Sequence, residues 1–450
     1  AAAPDSYPLG ARFNIADQGI ATWLVSYVPH ILTTAPSQFY DAPVFYPAPR
    51  QLARMEHLAT TGVLFGPIYL LTGNAVLAAN VAVLCSYPLA AFFLWALLVR
   101  LGVSSAAAAA GGIAFALGFI RAPGSLYLAK LPNWVLPMVA LLITRVREQP
   151  TWRRALALAA GLIVAALTSY YMGVMTASAA AVWAIAELTR PRERGRAALV
   201  LVAGAALGIA FVAVVSLPYL QQPEVSTRVQ GYLETGVPKS DVPALPYLAL
   251  FFLGTAGPLL SELKWLGALA LLSRGPAGRA SRRGLAIALV ARSFIYGSTA
   301  VVFGHPVTTP YAWLTAPTGG FFRYPFLFCV LLGFGESLLI AGGLAFIGGF
   351  LPGRARAIPA IAVAIAILLT RAPLLSRWGF VTSEGETHPV YDAVARWTRR
   401  NRAGPLLQLP LSIRGKSPWW ESEMIGSTRH WLPLVGGVSG YPPAHAQALN

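Results

Sequence analysis

The sequence predicts an all-α polytopic membrane protein, and its composition carries that prediction. Of its 450 residues, 56% are hydrophobic and only 11% are charged, with a mean hydropathy of +0.60. A typical soluble protein carries about 25% charged residues, so this chain cannot cover a globular surface with polar groups. The composition therefore excludes a soluble enzyme, and the high apolar content also excludes a disordered chain.

Apolar runs of membrane-spanning length recur through the middle of the chain. A bilayer core requires about 20 apolar residues per helix, and the run 155–188 is divided at Ser169 because one helix of that length would overshoot the membrane. The ten predicted spans are 75–99, 105–120, 132–146, 155–169, 170–188, 197–217, 257–273, 284–303, 323–350 and 357–373. The Gly- and Pro-containing segment 58–73 is shorter, and we predict an interfacial or half-inserted helix there.

Basic residues are distributed unevenly between alternate loops. Five short loops hold fifteen arginines, whereas the loops 121–131, 218–256 and 304–322 hold four basic residues. Because Lys and Arg collect in short cytoplasmic loops, we predict that the five loops are cytoplasmic and that both ends of the chain lie outside. Charges clustered between apolar runs also differ from the dedicated basic face of a nucleic-acid binder. The fifteen are Arg100, Arg145, Arg147, Arg153, Arg154, Arg190, Arg192, Arg194, Arg196, Arg274, Arg279, Arg282, Arg283, Arg354 and Arg356.

Three regions follow from this topology. Residues 1–74 form a long first exoplasmic loop with interfacial helices, 75–373 form the transmembrane bundle, and 374–450 form a small α/β C-terminal exoplasmic module. In the module we predict a strand at 405–411 and a helix from Pro389 whose apolar face carries Val390, Ala393, Val394 and Trp397. The chain starts in a polar segment and stops without a clear end, so we expect a signal or first membrane helix before it and a truncated module.

Residues with catalytic potential concentrate in the predicted outer regions, which hold all six histidines and most carboxylates. Asp17 stands where a preceding membrane helix would emerge, and Asp41 lies in the aromatic stretch FYDAPVFYP. Glu56 and His57 precede the segment 58–73. A carboxylate at the membrane edge can act as a general base because partial desolvation raises its pKa. The alternative is that Asp17 caps or solvates a helix end.

The order of short motifs resembles a known superfamily. Asp17-Gln18 at the predicted membrane exit is followed by FYDAPVFYP and by MEH. KLPNW, SYYMG, SLPYL, TPYAWLTAPTGGFFRYPFLF, VYDAVARW, GPLLQLP and STRHWLPLVGGVSGYPP then follow over nearly the whole chain. Together they resemble the bacterial glycosyltransferase-C (GT-C) superfamily, and within it the YfhO-like and mannosyltransferase-like membrane proteins.

This resemblance implies a GT-C-like helical bundle in the inner (plasma) membrane, with an active site at the exoplasmic or periplasmic face. The donor would be a polyprenyl-phosphate-linked sugar, and the acceptor an exoplasmic glycan, lipid or protein. Asp17 matches the superfamily's base, which takes the proton of the acceptor hydroxyl as polyprenyl phosphate leaves. Arg323, and as a second candidate Lys130, would bind the leaving phosphate; the alternative for both is an interfacial anchor.

The resemblance also bears on the pocket and on metal use. Asp41, Glu56 and His57 would shape the acceptor pocket, or supply ligands if a divalent cation such as Mg²⁺ or Mn²⁺ is used. Superfamily members often have two adjacent acids at the first exit, whereas Gln18 follows Asp17 here. This single acid disfavours the metal-dependent version. The histidines show no metal-binding spacing, so no metal site is assigned from the sequence.

Two other functions stay open. A transporter or flippase of a lipid-linked or charged solute would use Arg292 and Glu336, which lie within predicted spans and could instead neutralise each other. Glu262 and Lys264 are predicted to solvate a helix end. Transporters often place their sites between internal repeats, and no repeat is found, so the outer polar groups favour the enzyme. The last alternative is an inactive GT-C-like scaffold.

Overall fold

The computed structural model is a helical bundle with a polar layer at one end. It describes residues 6–9, 15–118, 132–189, 194–221, 262–302, 305–315, 322, 325–376, 379–382, 389–401, 404–408, 420–437 and 443. The helices are α1 (Ile15–Thr34), α2 (Ala59–Thr72), α3 (Ala75–Arg100), α4 (Ser105–Leu117), α5 (Val135–Glu148), α6 (Trp152–Thr168), α7 (Tyr170–Leu188), α8 (Arg194–Leu220), α9 (Trp265–Ala270), α10 (Pro276–Ile295), α11 (Pro310–Thr315), α12 (Cys329–Gly348), α13 (Ile358–Ser376), α14 (Pro389–Thr398) and α15 (Trp420–Ser427).

Strands are few. β1 (Ser6–Leu9) pairs antiparallel with β4 (Gly379–Thr382), and β2 (Thr299–Val302) pairs antiparallel with β3 (His305–Thr308). Neither sheet has more than two strands. The structure is therefore mostly helical, as the sequence predicts.

The prediction of a helical membrane protein is confirmed at the level of helix length and composition. Within the described residues, five helices are long and apolar enough to cross a bilayer. They are Ala75–Arg100, Tyr170–Leu188, Gly195–Leu220, Cys329–Gly348 and Gly353–Thr370, and each overlaps a predicted span. The helix α2 is apolar but has only 14 residues, in agreement with the short helix predicted there.

Contacts between helix ends bring the arginine-rich loops to one end of the bundle. Arg100 at the end of α3 donates from Nε to Oε1 of Glu148 at the end of α5, over 2.8 Å. Arg279 near the start of α10 donates from Nη2 to the carbonyl oxygen of Leu101, over 2.9 Å. We call this the arginine-rich end. The opposite end, where α6 ends and α7 begins, is called the polar end.

Two predicted boundaries differ from the structure. Helix α10 begins at Pro276, so most of the predicted loop 274–283 is helical. Proline is favoured in the first helical turn, and Arg282 projects from the helix surface whereas Arg283 is buried. The same helix ends at Ile295, before the predicted boundary at 303. Gly297 has a φ of +77°, which glycine adopts readily, and the chain turns there toward β2 and β3.

The predicted division of the run 155–188 is confirmed. Ser169 has extended backbone angles and separates α6 from α7. Its Oγ accepts the backbone N–H of Met172 over 3.1 Å, as an N-cap of α7. This break brings Tyr170 to the polar end of the bundle.

The centre of the bundle is packed through small residues. Helix α12 is almost entirely buried and lies directly against α10. A Cβ added to Gly335 would lie 2.7 Å from the carbonyl oxygen of Gly284, and one added to Gly284 would lie 2.5 Å from that of Gly335. Glycines at helix contacts let two backbones approach this closely. In a membrane the hydrophobic effect does not hold helices together, so such close packing contributes much of their attraction.

Glu336 in this core forms an ion pair with Lys264, while Arg292, its predicted partner, also interacts with it electrostatically. Nζ of Lys264 lies 3.3 Å from Oε1 of Glu336, and their side chains are only 6% and 2% exposed. Lys264 is thus buried rather than solvating a helix end, because α9 folds back onto α12 so closely that a Cβ on Gly267 would meet the backbone of Leu339. Arg292 is also buried, but the hydrogen-bonded partner of Glu336 is Lys264.

The C-terminal module contains the predicted helix, but a different face is buried. Val390 and Trp397 are 49% and 54% exposed, whereas Tyr391 and Ala395 are buried. The ring of Tyr391 lies against Gly426 of α15, where an added Cβ would come within 2.4 Å of it. The larger ring determines the orientation of α14, so the predicted face is wrong. Of the predicted strand 405–411, the described residues form a single bridge, from Leu406 to Leu434.

Candidate functional site

A cavity of about 550 Å³ opens at the polar end of the molecule. It lies between the C-terminal half of α1, the loop 35–49 and the segment 431–433. We call it the polar pocket. Its hydrogen-bonding side chains include His30, Thr34, Gln38 and Asp41, and its aromatic side chains are Tyr27, Tyr46 and Trp431. A pocket with aromatic walls and a few convergent polar groups is a typical small-molecule site, and carboxylate, amide and imidazole groups can all bind hydroxyls.

Asp41 is positioned by the backbone of its own loop. Its Oδ1 accepts the backbone N–H of Arg50 over 2.9 Å. The Arg50 guanidinium in turn donates from Nη1 to Oε1 of Gln221, just after α8. Within the described residues Oδ2 of Asp41 makes no hydrogen bond, so this oxygen can accept one from a bound molecule. Arg50 thus links the carboxylate loop to the end of a membrane helix.

Trp431 joins the C-terminal module to this pocket. Its indole is stacked on the imidazole of His30, with ring centroids 4.2 Å apart and an interplanar angle of 7°. Its Nε1 donates to the hydroxyl of Tyr69 over 3.0 Å, and Tyr69 donates to the carbonyl oxygen of Thr428 over 2.6 Å. The residue is therefore fixed in position by α1, by α2 and by its own segment.

Backbone hydrogen bonds connect this segment to the first loop. The N–H of Tyr46 donates to the carbonyl oxygen of Leu434 over 2.8 Å, and the N–H of Leu434 donates to that of Pro43 over 3.0 Å. The N–H of Phe45 donates to the carbonyl oxygen of Gly436 over 3.0 Å. Two regions almost 400 residues apart in the sequence therefore form one layer around the pocket.

Backbone strain is concentrated in and beside this layer, in the first loop up to the start of α2 and at Trp431. Among the described residues, four that are not glycine have a positive φ: Phe45, Arg50, Leu58 and Trp431, at 55°, 53°, 44° and 51°. The left-handed region costs such residues about 1–2 kcal/mol each. Strain of this kind persists only where surrounding contacts enforce it, and it clusters at functional sites.

A second group of aromatic rings lies beside the pocket, at the membrane end of the same loop. His57 makes an edge contact with Tyr170, with ring centroids 4.7 Å apart. Tyr170 contacts Tyr219 at 4.9 Å, and Tyr219 contacts Tyr40 at 6.1 Å. We call Tyr40, Tyr170 and Tyr219, with Glu56 and His57, the tyrosine junction. Since Tyr40 precedes Asp41, the junction extends directly to the polar pocket.

Hydrogen bonds fix the junction to two membrane helices, α7 and α8. Oε2 of Glu56 accepts the backbone N–H of Tyr170 over 3.4 Å, and the hydroxyl of Ser216 donates to that of Tyr170 over 3.0 Å. The hydroxyl of Tyr219 donates to the carbonyl oxygen of Met55 over 3.1 Å. The motifs MEH, SYYMG and SLPYL, which are far apart in the sequence, thus meet at one place.

His57 is an uncharged member of the junction. Its side chain is buried, and its Nδ1 accepts the backbone N–H of Ala59 over 3.3 Å. Burial lowers the pKa of His57 to about 4, although a hydrogen bond with the backbone of Leu167 partly opposes this shift. At neutral pH the imidazole is therefore neutral.

In the pocket itself, burial also lowers the pKa of His30. Burial, and secondarily the charge of Asp41, raises the pKa of Tyr27 far above its ordinary value. The Tyr27 hydroxyl accordingly keeps its proton and donates to the carbonyl oxygen of Phe39 over 2.9 Å. With His30 and Tyr27 neutral, Asp41 supplies the negative charge among these pocket residues.

An apolar groove of about 480 Å³ runs along the bundle below the junction. We call it the apolar groove. It is lined by Ile143, Leu158, Leu162, Ala166, Tyr170, Gly173, Val174, Ala177, Ala180, Ala181, Ala184, Leu201, Ala205, Gly208, Ile209, Val212, Ala213 and Phe322. Tyr170 belongs to both the groove and the junction. A series of ring contacts, from Tyr170 through Tyr219 to Tyr40, leads from the groove to the loop that carries Asp41.

The structure separates the predicted site residues. Asp41 lies in the polar pocket, and Glu56 and His57 lie in the tyrosine junction. Asp17 is in the first turn of α1, about 15 Å along the helix axis from Tyr27, and its side chain lies outside the described residues. Lys130 and Arg323 are also outside the described residues, so their predicted role as phosphate binders stays a prediction.

The structure does not gather these residues around a cation. In the part of the chain that the structure describes, no three His, Cys, Asp or Glu side chains come close enough together to hold a metal ion. Asp41, Glu56 and His57 consequently do not form a common set of ligands.

No protein-family model matches this chain, and no curated protein matches it in sequence. The resemblance to the GT-C superfamily therefore rests on the order of its motifs.

Several residues of the site were not predicted individually. Arg50, Tyr40 and Trp431 acquire their roles from contacts between distant segments. Tyr170 and Tyr219 lie in SYYMG and SLPYL, which the sequence singled out as motifs without assigning them a chemical role. The available signal was the placement of tyrosines at predicted helix ends, on the side opposite the arginine-rich loops.

Proposed function

We propose that this protein is a membrane glycosyltransferase that transfers a sugar from a polyprenyl-phosphate-linked donor to an exoplasmic glycan, lipid or protein acceptor. The observation that supports the proposal is the series of ring contacts through Tyr170, Tyr219 and Tyr40, which leads from the apolar groove to the loop that carries Asp41 in the polar pocket. A lipid-linked sugar has an apolar chain, a phosphate and a hydroxylated ring in that order. The three parts of the site match this order.

The apolar groove is suited to the lipid chain. Its lining is formed mainly by small and branched apolar side chains from α5 to α8. Val212 and Ile209 are examples, with Ile209 65% exposed at the edge of the groove. An isoprenoid chain bound there would remain in contact with the bilayer while its phosphate reached the polar end.

The pocket is suited to the sugar and to the acceptor hydroxyl. We assign the general base to Asp41, because it is the carboxylate that lines the pocket and its Oδ2 is not hydrogen-bonded within the described residues. The acceptor oxygen would bond to the anomeric carbon as the bond from that carbon to the phosphate oxygen breaks. The acceptor proton would pass to Asp41, and the electron pair would leave with polyprenyl phosphate. Asp17 is the alternative base from the family resemblance.

Arg50 is the described cation best placed to stabilise the leaving phosphate. Its backbone N–H binds Asp41, and its guanidinium reaches Gln221 at the end of α8. The planar guanidinium can form two parallel hydrogen bonds to a phosphate. Arg323 and Lys130 keep this role as predictions from the sequence.

The experiment is a transfer assay on the full chain in lipid nanodiscs. A panel of synthetic polyprenyl-phosphate sugars is supplied, and released polyprenyl phosphate is measured for the native protein and for Asp41→Asn and Asp17→Asn. Asp392→Asn, at a half-exposed site in α14 outside the polar pocket, is the matched control. Release that the control retains and Asp41→Asn abolishes would support the proposal. Saturable binding of the lipid without release from any sugar would contradict it.

The second candidate is a transporter or flippase of a lipid-linked or charged solute. It is favoured by the buried charges Lys264, Glu336 and Arg292 within the bundle. Charged groups at such depth often belong to a transport path. Movement of a fluorescent lipid-linked sugar across proteoliposomes, lost in Glu336→Gln but unaffected by Asp41→Asn, would favour this candidate over the transferase.

A further inference from the structure

A third cavity, of about 420 Å³, lies at the arginine-rich end, far from the polar pocket. It is formed between the end of α7 and the first half of α10. We call it the basic pocket. It is lined by Val182, Ile185, Ala186, Thr189, Arg279, Arg282, Arg283 and Ala286.

The basic pocket combines a cationic wall with an apolar wall. The α10 side contributes three arginines, and the carboxylate beside them is Glu187, which pairs with Arg283 over 2.6 Å. The α7 side contributes Val182 and Ile185, and Ile185 is 65% exposed on the flank of the bundle. The arginines exceed the carboxylate by two charges, so an anion with an attached apolar chain is the complementary ligand.

Two of the arginines are already fixed in place. Arg283 is buried, and its guanidinium lies 4.5 Å from the centre of the Trp183 ring in addition to pairing with Glu187. Arg279 donates from Nη2 to the carbonyl oxygen of Leu101 over 2.9 Å. Because these side chains are ordered before a ligand arrives, binding costs little further conformational entropy.

Arg282 presents the accessible charge. Its Nη1 donates to the carbonyl oxygens of Leu271 and Ser273, each over 2.7 Å, and the residue is exposed. Within the described residues its Nε and Nη2 make no hydrogen bond. Adjacent N–H groups on a guanidinium can hold two oxygens of one phosphate.

We propose that the basic pocket binds an anionic phospholipid, with its headgroup phosphate on Arg282 and an acyl chain along Val182 and Ile185. The pocket lies at the ends of apolar helices, which is the depth of the headgroup layer, and it opens beside an exposed apolar side chain. Basic pockets between membrane helices on one side of the bilayer are suited to acidic headgroups. This inference does not depend on the transferase proposal, because the two sites lie at opposite ends.

The experiment titrates the full-length protein in detergent with dioctanoyl phosphatidylglycerol, following the intrinsic fluorescence of the tryptophans, which include Trp183. Dioctanoyl phosphatidylcholine tests the need for net charge, and inorganic phosphate tests whether a soluble anion suffices. The variant is Arg282→Gln, and Arg354→Gln, an exposed arginine at the same end but outside the pocket, is its matched control. Ala286→Trp fills the pocket without changing its charge, and the fluorescence change for this variant is normalised to its own saturated signal.

We expect saturable binding of phosphatidylglycerol by the native protein and by Arg354→Gln, at least tenfold weaker binding by Arg282→Gln and Ala286→Trp, and no saturable binding of phosphatidylcholine. Equal phosphatidylglycerol affinity in native protein and Arg282→Gln would overturn the site, provided that Ala286→Trp also binds normally. Inorganic phosphate binding as tightly as phosphatidylglycerol would overturn the lipid assignment. Circular dichroism of each variant without lipid verifies folding, and Ala286→Trp keeps the test decisive if Arg282→Gln unfolds.

Discussion

The indole of Trp431 lies flat on the imidazole of His30, with ring centroids 4.2 Å apart and planes within 7° of parallel. This contact joins the C-terminal module to α1 across the polar pocket. The backbone of Trp431 is in the left-handed conformation. This conformation is unfavourable for a tryptophan, and the contacts of its ring hold it in place. The closing wall of the pocket is therefore supplied by the far end of the chain.

Replacing Trp431 with alanine is expected to impair substrate binding at the polar pocket. This variant loses the stack on His30 and the hydrogen bond to Tyr69, which together stabilise the wall of the pocket by about 1–3 kcal/mol. KM for the sugar donor should therefore rise at least tenfold. Trp431→Phe should restore part of the effect, because a phenyl ring can still stack. Trp397→Ala, at a tryptophan 54% exposed and outside the pocket, serves as the control, and an equal rise in KM there would contradict the assignment.

Asp41→Asn is expected to reduce kcat by at least 100-fold with little effect on folding. Asparagine preserves the oxygen that accepts the Arg50 N–H but cannot take a proton, and a general base contributes about 10²–10⁴-fold to rate. Transfer kinetics in nanodiscs and the thermal unfolding midpoint measure the two effects. If Asp17→Asn abolishes transfer while Asp41→Asn retains it, the base is Asp17, as the family resemblance implies.

Filling the apolar groove is expected to weaken the binding of the lipid donor. Ala177 lines the groove and is exposed to it, so Ala177→Phe should occupy part of the volume used by an isoprenoid chain. Ala206→Phe makes the same change at an exposed position of α8 outside the groove. We expect KM for a long-chain donor to rise at least fivefold in the first variant only. A water-soluble donor analogue with a very short chain should be affected equally by both variants.

Some parts of this structure could be predicted from the sequence because they depend on local patterns. The length of apolar runs identified α3, α7 and the short helix α2, and Ser169 marked the break between α6 and α7 because serine is a good N-cap. The clustering of the arginines at one end of the bundle likewise follows from the tendency of Lys and Arg to collect in the short loops on one side of a membrane. Each of these features is encoded within about twenty residues.

Other parts depend on contacts between distant segments, which a single sequence does not display. Lys264 pairs with Glu336 because α9 folds back onto α12, and no local pattern indicates that fold. The burial of Tyr391 in place of Val390 depends on the space left by Gly426. The sequence could identify Asp41 as a candidate, but the pocket around it depends on Trp431, which is supplied by the other end of the chain.

Removing one partner of the buried pair Lys264–Glu336 should strongly lower the free energy of unfolding. Lys264→Met leaves a carboxylate buried without its hydrogen-bonded partner, and such a change costs about 3–5 kcal/mol. The double variant Lys264→Met, Glu336→Leu should recover part of this loss, because the buried carboxylate is then removed as well, while the charge of Arg292 stays buried nearby. Thermal unfolding in detergent measures both. The exposed pair Arg100–Glu148 is the control, and breaking it with Arg100→Gln should cost less than about 1 kcal/mol.

The stability of the folded protein should fall as the pH decreases from about 6.5 toward 4. Burial lowers the pKa of His57 and of His430 to about 4, whereas an unfolded histidine has a pKa near 6.5. Below pH 6.5 the unfolded chain binds protons at these two positions while the folded chain does not, so acid favours unfolding. For His57 alone the loss between pH 6.5 and pH 5 is about 1.5 kcal/mol. The unfolding midpoint is measured at pH 7.5, 6.5, 5.5 and 5.0 for native protein and for His57→Asn, whose side-chain oxygen can still accept the Ala59 N–H.

His57→Asn should show a shallower dependence on pH, while His305→Asn, at an exposed position in β3, should keep the native slope. An unchanged slope in His57→Asn would mean that this imidazole is not buried in neutral form.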